Sequence, residues 1–161
     1  MPQLETVKSL LAELSEMCPA GFAIALHVNF TTPTYLFQTY DKAWIEEYSK
    51  AGLVMYDPTV RWGLENDGVV SWASLSETDP ENVLGRARAH GLKHGLTIAT
   101  SEGGSKSVAS FARQDRDFSD AEQTRLSGML DALHAMTKPT GDAPGEFEAA
   151  LKRLSVLSTH S

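Results

Sequence analysis

TIATSEGGSKSVASFA, residues 97–112, reads as two strand-forming runs, Thr97–Thr100 and Ser107–Ala112, on either side of SEGGS. The paired glycines can take the positive φ of a tight turn, so the two runs pair antiparallel. The same logic recurs upstream. Phe22 to Phe30 (FAIALHVNF) is rich in apolar and strand-forming residues, and a Thr-Thr-Pro-Thr turn separates it from Tyr35–Thr39. With Val69–Trp72 as a further short piece, hairpins predict an antiparallel sheet of about five strands.

Helices surround these strands. Leu4, Val7, Leu10, Leu11, Leu14 and Met17 recur at helical spacing and predict an amphipathic helix over 3–17, ended by Cys18-Pro19-Ala20-Gly21. Asp41 is a good N-cap for a helix to about Lys50, with Gly52 able to take a left-handed C-terminal conformation. Pro58 suggests a short helix through about Leu64, and TDPEN offers a cap and a Pro at N1 before Val83, Leu84 and Ala87, with a stop at Gly91. Ser119-x-x-Glu122 is a capping box opening a helix with Leu126, Met129, Leu130, Leu133 and Met136. Helices on both faces of the sheet make an α/β/α sandwich, placed at residues 1–136. Thr137–Gly145 has linker composition, and EFEAALKRLSVL adds one more short helix within 137–161.

The 161 residues suffice for one domain, and 42% hydrophobic residues fill one substantial core. A net charge of −7 argues against an unassisted nucleic-acid surface, which needs clustered Lys and Arg. Acidic residues interrupt the apolar stripe of the N-terminal helix, and no run approaches the ~20 apolar residues of a membrane span, so a cytoplasmic location is expected. Cys18 is the only cysteine, which excludes an internal disulfide and a multi-thiolate metal site within the chain.

Tyr40, Trp44 and Tyr48 are spaced i, i+4, i+8 and stack along one helix face, each an aromatic body with a polar tip. Such a row serves either as core or as a pocket wall. Asp57 lies in Leu-Val-Met-Tyr-Asp-Pro-Thr-Val, where a carboxylate must find donors or stay in water. Capping the helix at Pro58 and serving a polar site are both open to it. Trp72 follows in VVSW, and spacing alone does not bring these residues together.

YDKAWIEEYSKAGLVMYDPTVRWGLENDGVVSW, residues 40–72, resembles the signature of the LuxR-family autoinducer-binding domain, with Tyr40, Trp44, Tyr48, Asp57-Pro58 and Trp72 at that family's intervals. The likeness extends through HGLTI (94–98), with Gly95 before a core strand, and SVAS (107–110), covering most of residues 3–136. The resemblance implies a pocket for an N-acyl homoserine lactone and no cofactor. In it the Trp44 indole donates to the lactone carbonyl, Asp57 accepts from the amide N–H, and Tyr40 donates to the acyl carbonyl. Tyr48 and Trp72 form walls, and Thr59 and Ser110 stand at supporting hydroxyl positions. Ile45 replaces a basic residue of some members and Ala99 a proline of many, so acyl length and 3-substituent do not transfer. The resemblance also implies a homodimer, and DNA binding only through a C-terminal helix-turn-helix absent from this chain, which then holds the sensing half alone. A runner-up is an interaction protein that pairs with full-length regulators and blocks them without ligand.

Catalysis is not expected. His90 and His94 are i, i+4, but Gly91 intervenes and no third metal ligand is evident. There is no Gly-x-Ser-x-Gly elbow, and EGGSK lacks phosphate-loop spacing. Arg86, Arg88, His90, Lys93 and His94 form a basic patch that reads as a solvated face.

Overall fold

The computed structural model describes residues 2–30, 32–138 and 145–160, with side chains through 155. Helix α1 (Pro2–Met17) leads into strands β1 (Gly21–Asn29) and β2 (Thr32–Gln38). Helices α2 (Lys42–Lys50) and α3 (Pro58–Glu65), strand β3 (Gly68–Ser71) and helix α4 (Val83–Ala89) follow. Strands β4 (His94–Glu102) and β5 (Ser105–Arg113) and helices α5 (Asp120–Met136) and α6 (Glu146–His160) complete the order. The sheet runs β2-β1-β5-β4-β3 with every neighbouring pair antiparallel, the arrangement expected from the hairpins. Of the predicted linker, residues 139–144 lie outside the described residues.

Side-chain alternation divides the sheet into two unlike faces. Phe22, Ile24, Leu26, Phe37, Ile98 and Phe111 point to one side and form a dry core with Val7 and Leu14 of α1, Leu126, Met129 and Leu133 of α5, and Leu151 of α6. The opposite side carries Ala23, Ala25, Val108 and Ser110, all partly accessible, beneath α2, α3 and α4. At His27, whose φ is 50°, the alternation switches: Leu26 and His27 both face α5, where the His27 ring stacks on His134 at 4.3 Å, and Val28 returns to the other side.

Local chemistry accounts for the boundaries. Glu102 pairs with Ser105 across Gly103 (φ 63°) and Gly104 (φ 75°), a two-residue turn that requires positive φ at both positions. In α5, Ser119 accepts from the Glu122 N–H at 3.2 Å while the Glu122 carboxylate accepts from the Ser119 N–H at 2.8 Å. Three expectations need correction. Thr32, Pro33 and Thr34, read as turn, belong to β2. A proline is tolerated there because β2 is an edge strand, the place in a sheet where proline is accommodated. Phe30, expected in β1, lies beyond its end with φ 59° and is exposed. Helix α4 opens at Val83 rather than at Pro80, because the Asp79 carboxylate reaches forward to accept from both the Val83 and Leu84 N–H groups at 2.8 Å.

Candidate functional site

Between the accessible sheet face and helices α2, α3 and α4 lies a cavity of about 770 Å³. Tyr40, Trp44, Tyr48, Asp57, Thr59, Trp72 and Ser110, the seven residues singled out above, all line it. The row on α2 is therefore pocket wall as well as packing: Trp44 is 4% exposed and meets Tyr48 edge-to-face at 5.6 Å.

The sheet beneath is built to carry these rings. Gly95 of β4, Ala112 of β5 and Gly21 of β1 form one cross-strand rung. A Cβ on Gly95 would collide with the Trp72 indole, and one on Gly21 would stand 2.7 Å from Tyr40 Cδ1. Trp72 donates its indole N–H to Thr97 Oγ1 at 3.1 Å, and Thr97 shares a 2.7 Å hydrogen bond with the Ser110 hydroxyl. Thr97 was not singled out from sequence. Its signal is the register that sets it opposite Ser110, which only the folded sheet supplies. Ala23 and Ala25 on the cavity floor were also missed, since an alanine in a strand says nothing about the space above it.

Asp57 caps α3 and also lines the cavity. As the N-cap of α3 it accepts at Oδ1 from the Thr59 N–H at 2.8 Å and the Thr59 hydroxyl at 2.7 Å. Its Oδ2 accepts from the Tyr48 hydroxyl at 2.8 Å while the residue faces the cavity. Burial pushes the Asp57 carboxyl above the usual carboxylate range, against the hydrogen bonds from Thr59 and Tyr48 that favour its charge. Tyr48 is pushed well up by burial and then by the Asp57 charge, so it stays protonated and donates. Tyr40 shifts the same way, chiefly by burial. Its hydroxyl makes only a long 3.4 Å contact to the Ser110 carbonyl, and the Trp44 indole N–H has no acceptor among the described residues. The cavity thus offers two donors with spare capacity beside one well-held carboxylate.

Outside the cavity wall, Glu47 of α2 ties to α4 through His90 Nε2 at 2.9 Å and Arg86 Nη1 at 3.9 Å. Part of the patch read as a solvated basic face is therefore a clasp between the two helices roofing the site. His90 ends α4, whereas His94 opens β4 and meets Asp117 at 2.8 Å, so the two histidines do not converge. Among the described residues no group of three His, Cys, Asp or Glu could hold a metal ion.

Comparison with known proteins adds three relatives. Residues 16–138 match the family model of the autoinducer binding domain. The transcriptional activator protein SolR of Ralstonia nicotianae is 26% identical over 139 residues, covering 83% of this chain and 58% of SolR. The HTH-type quorum-sensing regulator RhlR of Pseudomonas aeruginosa is 30% identical over 119 residues, 70% of this chain and 49% of RhlR. The chain spans about half the length of these curated relatives. The crystal structure of CepR2 of Burkholderia cenocepacia, described as an N-acylhomoserine lactone dependent LuxR family transcription factor, shares the fold. Its TM-score is 0.60 at 17% identity, over 80% of this chain and 77% of that one.

Proposed function

Because the chain belongs to the autoinducer-binding domain family, we propose that its cavity receives an N-acyl homoserine lactone and passes occupancy on as a gain in folding stability. The observation that carries the reading is the match between spare polar capacity and ligand. Asp57, held by the Thr59 N–H, the Thr59 hydroxyl, the Val60 N–H and the Tyr48 hydroxyl, is an acceptor-only carboxylate that faces the cavity. It is the cavity-facing acceptor for the ligand's one amide N–H. The ligand's two carbonyls need two donors, and Trp44 and Tyr40 supply them, the indole to the lactone and the phenol to the acyl carbonyl. Thr59 and Tyr48 act by holding Asp57, and Trp72 and Ser110 close the wall.

Ligand that binds only the folded state stabilises it by mass action. In the whole regulator that gain serves a homodimer that reaches DNA through a C-terminal helix-turn-helix in the cytoplasm. The names of SolR and RhlR support this reading. Among the described residues no helix is long and apolar enough to cross a membrane. Thermal melting with a panel of N-acyl homoserine lactones tests the proposal, alongside Asp57→Ala and Trp44→Ala. At least one lactone raises the melting temperature of the wild-type chain, and both substitutions shrink the shift. A panel without any shift, or shifts untouched by both substitutions, refutes it.

A further inference from the structure

Along the cavity floor the side chains change from polar to apolar in one direction. Thr97, Ser110, Ala23 and Gln38 form one rung of the sheet, next to the glycine rung under Trp72 and Tyr40. The following rung on the same face brings Val108, Ala25 and Leu36 to the cavity, and beyond it Val28 pairs with Pro33. Val60 and Leu64 of α3 line the cavity above this apolar arm. On its core face β1 carries the large side chains Phe22, Ile24 and Leu26, yet its cavity face carries only Ala23 and Ala25 between Gly21 and the His27 switch. The space over them is open because the side chains are short.

Resting on the homoserine lactone reading, we infer that the site selects lactones with long linear acyl chains, laid along β1 over Ala25 toward Val28 and Pro33. From Ala23 to Val28 the strand advances roughly 16 Å. A zig-zag hydrocarbon advances ~1.3 Å per carbon, given C–C bonds of about 1.5 Å and near-tetrahedral angles, so the arm takes roughly a dozen carbons. A short chain leaves this apolar arm without contacts on one side. Each methylene added within the arm raises affinity by roughly fourfold. Ala25 is the specificity-determining position, because any larger side chain there stands up from the floor and cuts the arm short.

The test is calorimetric titration of the chain, wild type and Ala25→Phe, with butanoyl, octanoyl and dodecanoyl homoserine lactones. Wild-type affinity rises in that order, by several orders of magnitude from first to last, for eight methylenes at roughly fourfold each. Ala25→Phe loses far more affinity for the dodecanoyl than for the butanoyl lactone. Equal or falling affinity with length in the wild type, or undiminished dodecanoyl binding by Ala25→Phe, overturns the inference while leaving the lactone reading intact. Absence of binding by all three overturns the lactone reading and this inference with it. Should Ala25→Phe fail to fold, Ala25→Val reads the same way, with a smaller loss of dodecanoyl affinity.

Discussion

Asp57 holds the N-terminus of α3 and presents its carboxylate to the cavity, so substitutions there separate by what they leave behind. Asp57→Ala removes a cap worth about 1 kcal/mol and strands the Tyr48 hydroxyl at about 1–3 kcal/mol more. Its melting temperature therefore falls even without ligand, whereas Trp44→Phe keeps the wall and deletes only an N–H that no described residue uses. We expect Trp44→Phe to leave the ligand-free melting temperature within about a degree or two and to weaken lactone binding about tenfold; calorimetry and melting together check this. The raised carboxyl of Asp57 also sets a pH dependence. The ionised form is the stronger acceptor for an amide N–H, and burial brings protonation to a higher pH than for an ordinary aspartate. As pH falls through that raised value, lactone affinity drops, while the ligand-free fold is relieved of a buried charge and loses nothing from this group. Titrations from about pH 7 to about pH 4 should show a fall in wild-type affinity and a flat profile for Asp57→Asn.

At the level of elements, the glycine rung and the α5 capping box carry distinct signatures. Gly95→Ala drives a methyl into the Trp72 indole and should cost about 1–3 kcal/mol by overpacking. Trp72→Leu in the same chain should recover part of that loss in denaturant melts, whereas two independent, additive losses would contradict the packing account. Glu122 is held down to about 2 by the Arg116 guanidinium and by the Ser119 N–H. A lowered carboxyl adds stability above its unfolded value and loses it as pH falls toward the folded one. The chain should therefore weaken between about pH 4.5 and pH 2, and Glu122→Ala should flatten that part of the acid-unfolding curve. Such elements were legible beforehand wherever a local rule acts alone: the Gly103-Gly104 turn, the Ser119 box, the amphipathic stripe of α1. Reading failed where the partner lay elsewhere in the chain. Pro33 looks like a turn until β2 proves to be an edge strand. The aromatic row and Asp57 were visible as candidates, but Thr97 joins them only through the β4–β5 register.

Over the whole molecule the sheet separates a dry core, packed by α1, α5 and α6, from a hollow one lined by the candidate site residues. The same strands serve both sides, so on the proposed function an occupant of the cavity stabilises the packed side as well. Edge strand β2 connects the two: the Leu36 side chain lines the cavity, while its N–H and carbonyl both meet the Ser155 hydroxyl of α6, at 2.9 and 2.6 Å. Lys152 adds a 2.6 Å bond to the Thr34 carbonyl, so α6 covers an edge that would otherwise invite pairing with another chain. Breaking this cover with Ser155→Ala should lower the melting temperature of the ligand-free chain more than that of the lactone-saturated chain, because the occupied cavity holds Leu36 from its other side. Equal losses in both states would mean that α6 and the cavity are uncoupled. That Asp57 and Trp44 read a homoserine lactone in this cavity is decided by calorimetric titration of the wild-type chain, Asp57→Asn and Trp44→Phe with one lactone. Saturable binding at one site per chain, weakened about tenfold or more by each substitution, is expected; wild-type affinity in both variants would overturn the proposal.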